Sequence, residues 1–226
     1  PTGWNALAIA GLRRGGRALG EQDWIGMAEA ALDALRRTVW RDGRLYATRR
    51  GGEPALPGYL DDYAFLLAAL VEAMQTRMRP EDYAWAIELA DALVDRFEDR
   101  ERGGFWFTAH DHERLFHRTM PGHDDATPSG NGVASRALVA LGHLSGEPRY
   151  VEAAERAVRR FGPSIVESPG GYSTLLEAAH DLEHPPAVVI VAGPAGVDDA
   201  GNGEAARWTS ALQRANRPRA QAERRP

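Results

Sequence analysis

The sequence predicts an all-α fold, namely a partial (α/α) toroid of about three helical hairpins with short β mini-strands in the connections. The 226-residue chain repeats one pattern three times: an amphipathic helix, a mini-strand of glycine and bulky residues, and a more apolar helix. The mini-strands are centred on Leu45, Phe105 and Tyr172, which are 60 and 67 positions apart. A regular period of this kind indicates one structural unit stacked on copies of itself.

Two kinds of helix alternate along the chain. Residues 60–75 are apolar nearly all round, which predicts a helix buried on most sides. Residues 24–39, 80–97 and 150–161 instead have one apolar and one polar face. The alternation indicates an inner layer of helices covered by an outer layer. A closed ring of six hairpins needs about twice this length, so we expect an open ring.

In the first half of the chain, the ends of the predicted elements carry recognisable signals. Residues 4–19 form the first predicted helix, with Thr2 as a possible cap and Gly20 as the stop. The helix at 24–39 is followed by a glycine-rich connection that contains the first mini-strand, 44–48.

Similar signals mark the middle of the chain. The predicted helix 80–97 begins with a proline, which the first helical turn tolerates. The second mini-strand is 103–108. Ser129 is a good N-cap for a helix over 130–145.

The third repeat ends the predicted toroid. A mini-strand at 170–173 precedes a short last helix. We expect the toroid to occupy residues 1–186, and residues 187–226 to form a short strand at 188–191 followed by a disordered tail, because the tail is poor in apolar residues.

Composition and charge restrict the possible classes of protein. The chain is 43% hydrophobic with a formal net charge of −5, so a substantial core is possible and no overall field attracts nucleic acid. The absence of cysteine excludes disulfides, thiolate catalysis and cysteine-ligated metals. No apolar run reaches the roughly 18 residues of a membrane helix, and no leader sequence is visible. We therefore expect a cytoplasmic protein without membrane or nucleic-acid partners. The start at Pro1 indicates a piece of a longer sequence.

Two loops that lead into predicted inner helices carry the candidate catalytic residues. Each loop has Pro-Gly followed by an aspartate pair, Asp61 and Asp62 in one and Asp124 and Asp125 in the other. Paired carboxylates are what glycoside hydrolysis requires, one as acid and the other as base or nucleophile. The alternative is that these aspartates cap helices, since aspartate at a helix start accepts backbone hydrogen bonds.

Aromatic and polar residues near these loops are candidates for sugar binding, because aromatic faces stack on sugar rings. For Trp106, burial between hairpins is the alternative. The candidate substrate-binding residues are Trp4, Asn5, Tyr59, Tyr63, Trp106, His123, Ser129 and Asn131.

Four histidines, at positions 110, 112, 117 and 123, fall within fourteen residues. Imidazole can bind zinc or transfer protons. The spacing matches no metal signature, so we expect solvated loop histidines and predict neither a metal nor a cofactor.

Several separated motifs resemble one known family. They are GWNAL at 3–7, GYLDDYA at 58–64, GGFWFT at 103–108, DDATPSGN at 124–131 and VVIV at 188–191. Together they resemble the C-terminal part of thioredoxin-domain proteins of the spermatogenesis-associated type. This resemblance implies a thioredoxin-like domain, missing from this chain, followed by a six-hairpin glycosidase-like toroid. That toroid is similar in fold to N-acylglucosamine 2-epimerases and several glycoside hydrolases.

Three functional hypotheses follow and stay open at this point. The first is a fragment that binds or processes carbohydrate, with epimerase-like or glycoside hydrolase-like activity if it is an enzyme. The second is a non-catalytic scaffold or interaction module that accompanies a thioredoxin-like domain. The third is an inactive truncated product.

Overall fold

The computed structural model describes residues 1–113, 115–185, 187–190, 207–208 and 211. The chain divides into two compact units, Pro1–Pro186 and Ala187–Pro226. The helices of the first unit are α1 (Thr2–Leu19), α2 (Gln22–Val39), α3 (Leu60–Met74), α4 (Pro80–Ala92, continued by a π-helical turn over Leu93–Phe97), α5 (Gly130–Ser145), α6 (Pro148–Glu167) and α7 (Ser173–Glu183). Its strands are β1 (Trp40–Arg41), β2 (Arg44–Arg50) and β3 (Glu53–Pro57).

The helices form the two layers that the sequence predicts. Helix α1 packs on α3, α3 on α5, and α5 on α7, so these four helices make an inner row in chain order. Helices α2, α4 and α6 each pack on the inner helix that precedes them in the chain. The prediction of a partial toroid built from about three hairpins is confirmed.

Helix α3 lies at the centre of the inner row. Its leucines 60, 66, 67 and 70 are fully buried, because α1 and α5 flank the helix and α4 covers it. Helix α1 lies at one end of the row and buries one face only, so that Trp4 is 70% exposed. A helix that is apolar all round therefore occupies the position with neighbours on most sides.

Most predicted helix ends are confirmed. Gly20 adopts the left-handed conformation with a φ of 80° and ends α1. The Ser129 side chain accepts a hydrogen bond from the amide of Gly132 and caps α5. The predicted capping role of Thr2 is wrong. Thr2 is already helical, and its hydroxyl donates instead to the carbonyl oxygen of Tyr46, 2.6 Å away.

One of the three predicted mini-strands is a true strand. Strand β2 pairs with β1 and β3 in an antiparallel sheet. Over 103–108 only a single bridge forms, between Phe105 and Glu98, because Gly103 and Gly104 have φ values of 78° and 84°, outside the extended region. The third is a 3-10 turn, Pro169–Gly171.

The strand predicted at 188–191 is not observed over residues 187–190, the described part of that segment. Val191 and most of the predicted disordered tail lie outside the described residues. Of the helices the structure describes, none is both long and apolar enough to cross a membrane.

Candidate functional site

The N-terminal ends of the inner helices lie together at one end of the first unit. The amide of Gly3, at the start of α1, donates to Asp62 Oδ1 in the first turn of α3 over 2.8 Å. The amide of Thr174, at the start of α7, donates to Asp124 Oδ2 in the loop before α5, also over 2.8 Å. The acidic turns therefore join neighbouring inner helices at their N-terminal ends.

Asp62 has the geometry of a helix cap. Its Oδ2 accepts from the amide of Tyr59 over 3.0 Å, which forms a capping box, and its Oδ1 accepts from Gly3. Burial raises the pKa of Asp62, although these two backbone hydrogen bonds oppose the shift. Because both oxygens are engaged, Asp62 is well placed to hold α1 against α3.

Asp124 joins α5 to α7. Its Oδ1 accepts from the amide of Ser129, and its Oδ2 accepts from the hydroxyl of Ser173 and the amide of Thr174, each over 2.8 Å. Burial by itself raises the pKa of Asp124, but these hydrogen bonds outweigh burial and hold the pKa below its usual value. The neighbouring Asp125 is exposed.

Asp61 differs from the other three aspartates. Its Oδ1 is buried and has no hydrogen-bond partner among the described residues. Helix α5 approaches so closely that a Cβ atom on Gly130 would lie 2.2 Å from this oxygen. Burial, followed by the negative charge of Asp62, raises the pKa of Asp61 to about 6. A carboxyl group with a pKa near the working pH can act as a general acid or base.

The predicted aromatic residues are divided among different environments. Tyr59 stacks on Phe107 with ring centroids 5.0 Å apart. Tyr63 is 3% exposed and its hydroxyl accepts a hydrogen bond from the amide of Leu45, so its ring presents no open face. Trp4 is exposed near the start of α1, whereas Trp106 lines a separate cleft described below.

The predicted polar binding residues mainly hold the backbone in place. The buried side chain of Asn131 accepts from the amide of Phe105 and donates to the carbonyl oxygens of Phe105 and Pro121. Asn5 donates to the carbonyl oxygen of Pro1. The imidazole of His123 packs edge-on against Tyr172, with ring centroids 5.4 Å apart.

The four loop histidines do not gather at one point with carboxylates. Among the described residues, no group of three or more histidine and acidic side chains has a geometry that could hold a metal ion. His112 packs against Tyr59, and both of its ring nitrogens are buried without a hydrogen-bond partner.

Sequence reasoning missed a cleft of about 310 Å³ around Trp106, which we name the Trp106 cleft. Its lining includes Arg102, Arg118 and Arg160, together with His117. None of the four predicted catalytic aspartates lines it. The three arginines come from separate segments of the chain, so no local motif could have revealed the cleft.

Comparison with known proteins supports the resemblance that the motifs indicate. No family model matches the chain. The chain shows weak homology to spermatogenesis-associated protein 20 of mouse, with 28% identity over 160 residues, and of human, with 24% identity over 201 residues. These matches cover 66% and 84% of this chain but only 20% and 26% of the relatives. The chain thus spans about a quarter of their length or less.

Solved structures share the fold. A GH76 α-mannanase from Bacteroides thetaiotaomicron matches with a TM-score of 0.62 and 12% identity, over 80% of this chain and 51% of the mannanase. A cellobiose 2-epimerase from Spirochaeta thermophila matches with a TM-score of 0.54 and 20% identity, over 70% of this chain and 41% of the epimerase. At these identities the likeness establishes the α/α toroid fold.

Proposed function

We propose that this chain forms part of a sugar-binding toroid in which Asp61 transfers a proton to or from the bound carbohydrate. The observation that carries the proposal is the buried, unpartnered Oδ1 of Asp61 and the resulting pKa of about 6. The similar solved structures include a mannanase, a cellobiose epimerase and a D-mannose isomerase, which supports a sugar ligand by analogy of fold.

The hydrogen bonds around the other aspartates favour proton transfer of the isomerase or epimerase type over hydrolysis. Hydrolysis by the usual route requires two available carboxyl groups. Asp62 and Asp124 each accept hydrogen bonds on both oxygens. Of the two aspartates left, Asp125 is exposed, and Asp61 is the one with a buried carboxyl oxygen that is not already engaged.

Titration of this chain with mannose, cellobiose and mannooligosaccharides tests this proposal. We expect saturable binding of at least one sugar, weakened about tenfold by Asp61→Asn, the scale of a lost hydrogen bond to a charged group. Asp23→Asn is the control and should leave binding unchanged, because Asp23 is exposed in the first turn of the outer helix α2, near the C-terminal end of α1. Equal binding by the wild type and Asp61→Asn would contradict the role of Asp61.

A non-catalytic interaction module, beside a thioredoxin-like domain, is the second candidate. It is favoured by the structural hydrogen bonds of Asp62, Asp124 and Asn131, which leave few polar groups free at this end of the row. The absence of saturable binding by all three sugar types would favour this module over the sugar-binding proposal.

A further inference from the structure

We infer that the Trp106 cleft binds a phosphorylated small molecule, at a site distinct from Asp61. The cleft is lined by Arg102, Arg118 and Arg160, with Trp106 as its aromatic residue. The inference goes beyond the proposed function, since it uses none of the residues on which that function rests.

The charge of the cleft is opposite to that of the whole chain. The protein has a formal net charge of −5, yet three arginines and one carboxylate, that of Asp99, line this cleft. Asp99 Oδ1 already accepts hydrogen bonds from the amides of Glu101 and Arg102. The remaining positive charge complements a phosphate monoester, which carries about −1.5 to −2 at neutral pH.

Two of the three arginine side chains of the cleft, those of Arg102 and Arg160, are available to a ligand. Within the described part of the chain, Arg102 and Arg160 form no ion pair, and their side chains are exposed. Arg118 donates through Nη2 to the carbonyl oxygen of Thr108, but its Nε is buried without a partner. Burial lowers the pKa of Arg118, although the negative charge of Asp99 opposes this shift. Guanidinium groups are the preferred partners of phosphate because their N–H groups match its oxygens.

The size of the cleft indicates more than a free phosphate ion. A volume of about 310 Å³ lies at the lower end of the range of small-molecule sites. The Cζ atom of the Arg118 guanidinium lies over the Trp106 ring, 4.9 Å from the ring centroid, so an apolar surface adjoins the positive charge. This pairing suits a ligand with a phosphoryl group on a larger organic body.

The walls of the cleft are held in place by backbone hydrogen bonds. The amide of Trp106 donates to the carbonyl oxygen of Phe97, and the amide of Phe107 donates to the carbonyl oxygen of Thr119, each over 2.8 Å. Asn131 connects these two segments, since it bonds both Phe105 and Pro121. A site fixed before binding loses less entropy when the ligand arrives.

Calorimetric titration with glucose 6-phosphate, glucose and inorganic phosphate tests the inference. We expect saturable binding of glucose 6-phosphate that weakens with increasing salt, and at least tenfold weaker binding of glucose. Arg102→Gln and Arg160→Gln should each weaken glucose 6-phosphate binding about tenfold, the scale of a lost charged hydrogen bond. Both positions are exposed, so these variants should fold normally.

Arg159→Gln is the matched control. It removes the same charge from the position of α6 that precedes Arg160, and Arg159 does not line the cleft. Equal affinity of the Arg159, Arg160 and Arg102 variants would overturn the inference, as would glucose binding as tight as that of its phosphate or binding of inorganic phosphate alone. Asp61→Asn should retain glucose 6-phosphate binding, so failure of the proposed function is distinguished from failure of this one.

Discussion

Asn131 is completely buried, and its side-chain amide makes three hydrogen bonds to two other segments. Replacement by alanine would leave one buried N–H group and two carbonyl oxygens without their partners. Unpaired buried groups cost about 1–3 kcal/mol each, so we expect Asn131→Ala to lower the free energy of unfolding by about 3 kcal/mol or more. Urea denaturation measures this effect. Asn5→Ala is the exposed control, and an equal loss in both variants would contradict the assignment.

Asp61 should make stability depend on pH. Its pKa is about 6 in the folded protein against an ordinary value of 3.8, so the folded state retains a proton that the unfolded chain has released. The free energy of unfolding therefore falls as pH rises from about 4 to about 6. Above that window, Asp61→Asn removes the penalty for burying a charge, and we expect it to stabilise the protein by up to about 3 kcal/mol.

Urea denaturation of Asp61→Asn and wild type at pH 4 and pH 8 measures the effect of this charge. The increase in the free energy of unfolding caused by Asp61→Asn should be present at pH 8 and small at pH 4, where the wild-type carboxyl group is protonated. An unchanged difference between the two pH values would show that the charge of Asp61 carries no penalty. A stabilising substitution that weakens sugar binding would be typical of a functional group.

The candidate site shows what sequence can and cannot predict for single residues. The pattern of Pro-Gly followed by an aspartate pair indicated which aspartates lie near the inner-helix starts, and the structure brings Asp61, Asp62 and Asp124 to the N-terminal ends of the inner helices. It could not separate capping from chemistry, because both use a carboxylate at the first helical turn. That difference depends on the approach of Gly130 to Asp61, which is a tertiary contact.

At the scale of elements, Asp124 connects the start of α7 to the loop before α5. Its hydrogen bonds hold its pKa below the usual value, so its contribution to stability is present above that value and is lost as pH falls through the folded pKa. We expect Asp124→Asn to destabilise the protein by about 1–3 kcal/mol at pH 7. Relative to wild type, this variant should speed up amide hydrogen exchange more in α7 than in α3.

Asp125→Asn is the matched control for this prediction, since it removes an adjacent but exposed carboxylate. The difference between Asp124→Asn and wild type should shrink as pH falls below the ordinary pKa of aspartate and through the lower pKa of Asp124 in the folded protein. Uniformly faster exchange in all helices would argue against a local role in attaching α7.

Helices were more predictable than the mini-strands for a physical reason. A helix satisfies its own backbone, so local spacing and caps such as Ser129 and Gly20 are enough to locate it. A strand requires a partner that sequence does not reveal. Leu45 obtains one through the pairing of β2 with β1, whereas Gly103 and Gly104 leave the extended conformation and Tyr172 follows a 3-10 turn.

At the scale of the whole first unit, the inner row should distribute stability unevenly between its centre and its end. Leu66 of α3 and Leu175 of α7 are both fully buried. Helix α3 has inner neighbours on both sides and an outer helix behind it, whereas α7 ends the row. Deleting a buried leucine side chain costs about 2–5 kcal/mol, and the cost depends on how far the surroundings can relax.

We therefore expect Leu66→Ala to cost more than Leu175→Ala and to lower protection from hydrogen exchange throughout α1, α3 and α5. Leu175→Ala should lower protection chiefly in α7, because a helix at the end of the row can open without separating the others. Urea denaturation and amide hydrogen exchange on the same variants measure both effects. Equal costs, with protection lost uniformly in both variants, would mean that the row unfolds as one cooperative body and that α7 is as firmly attached as its centre.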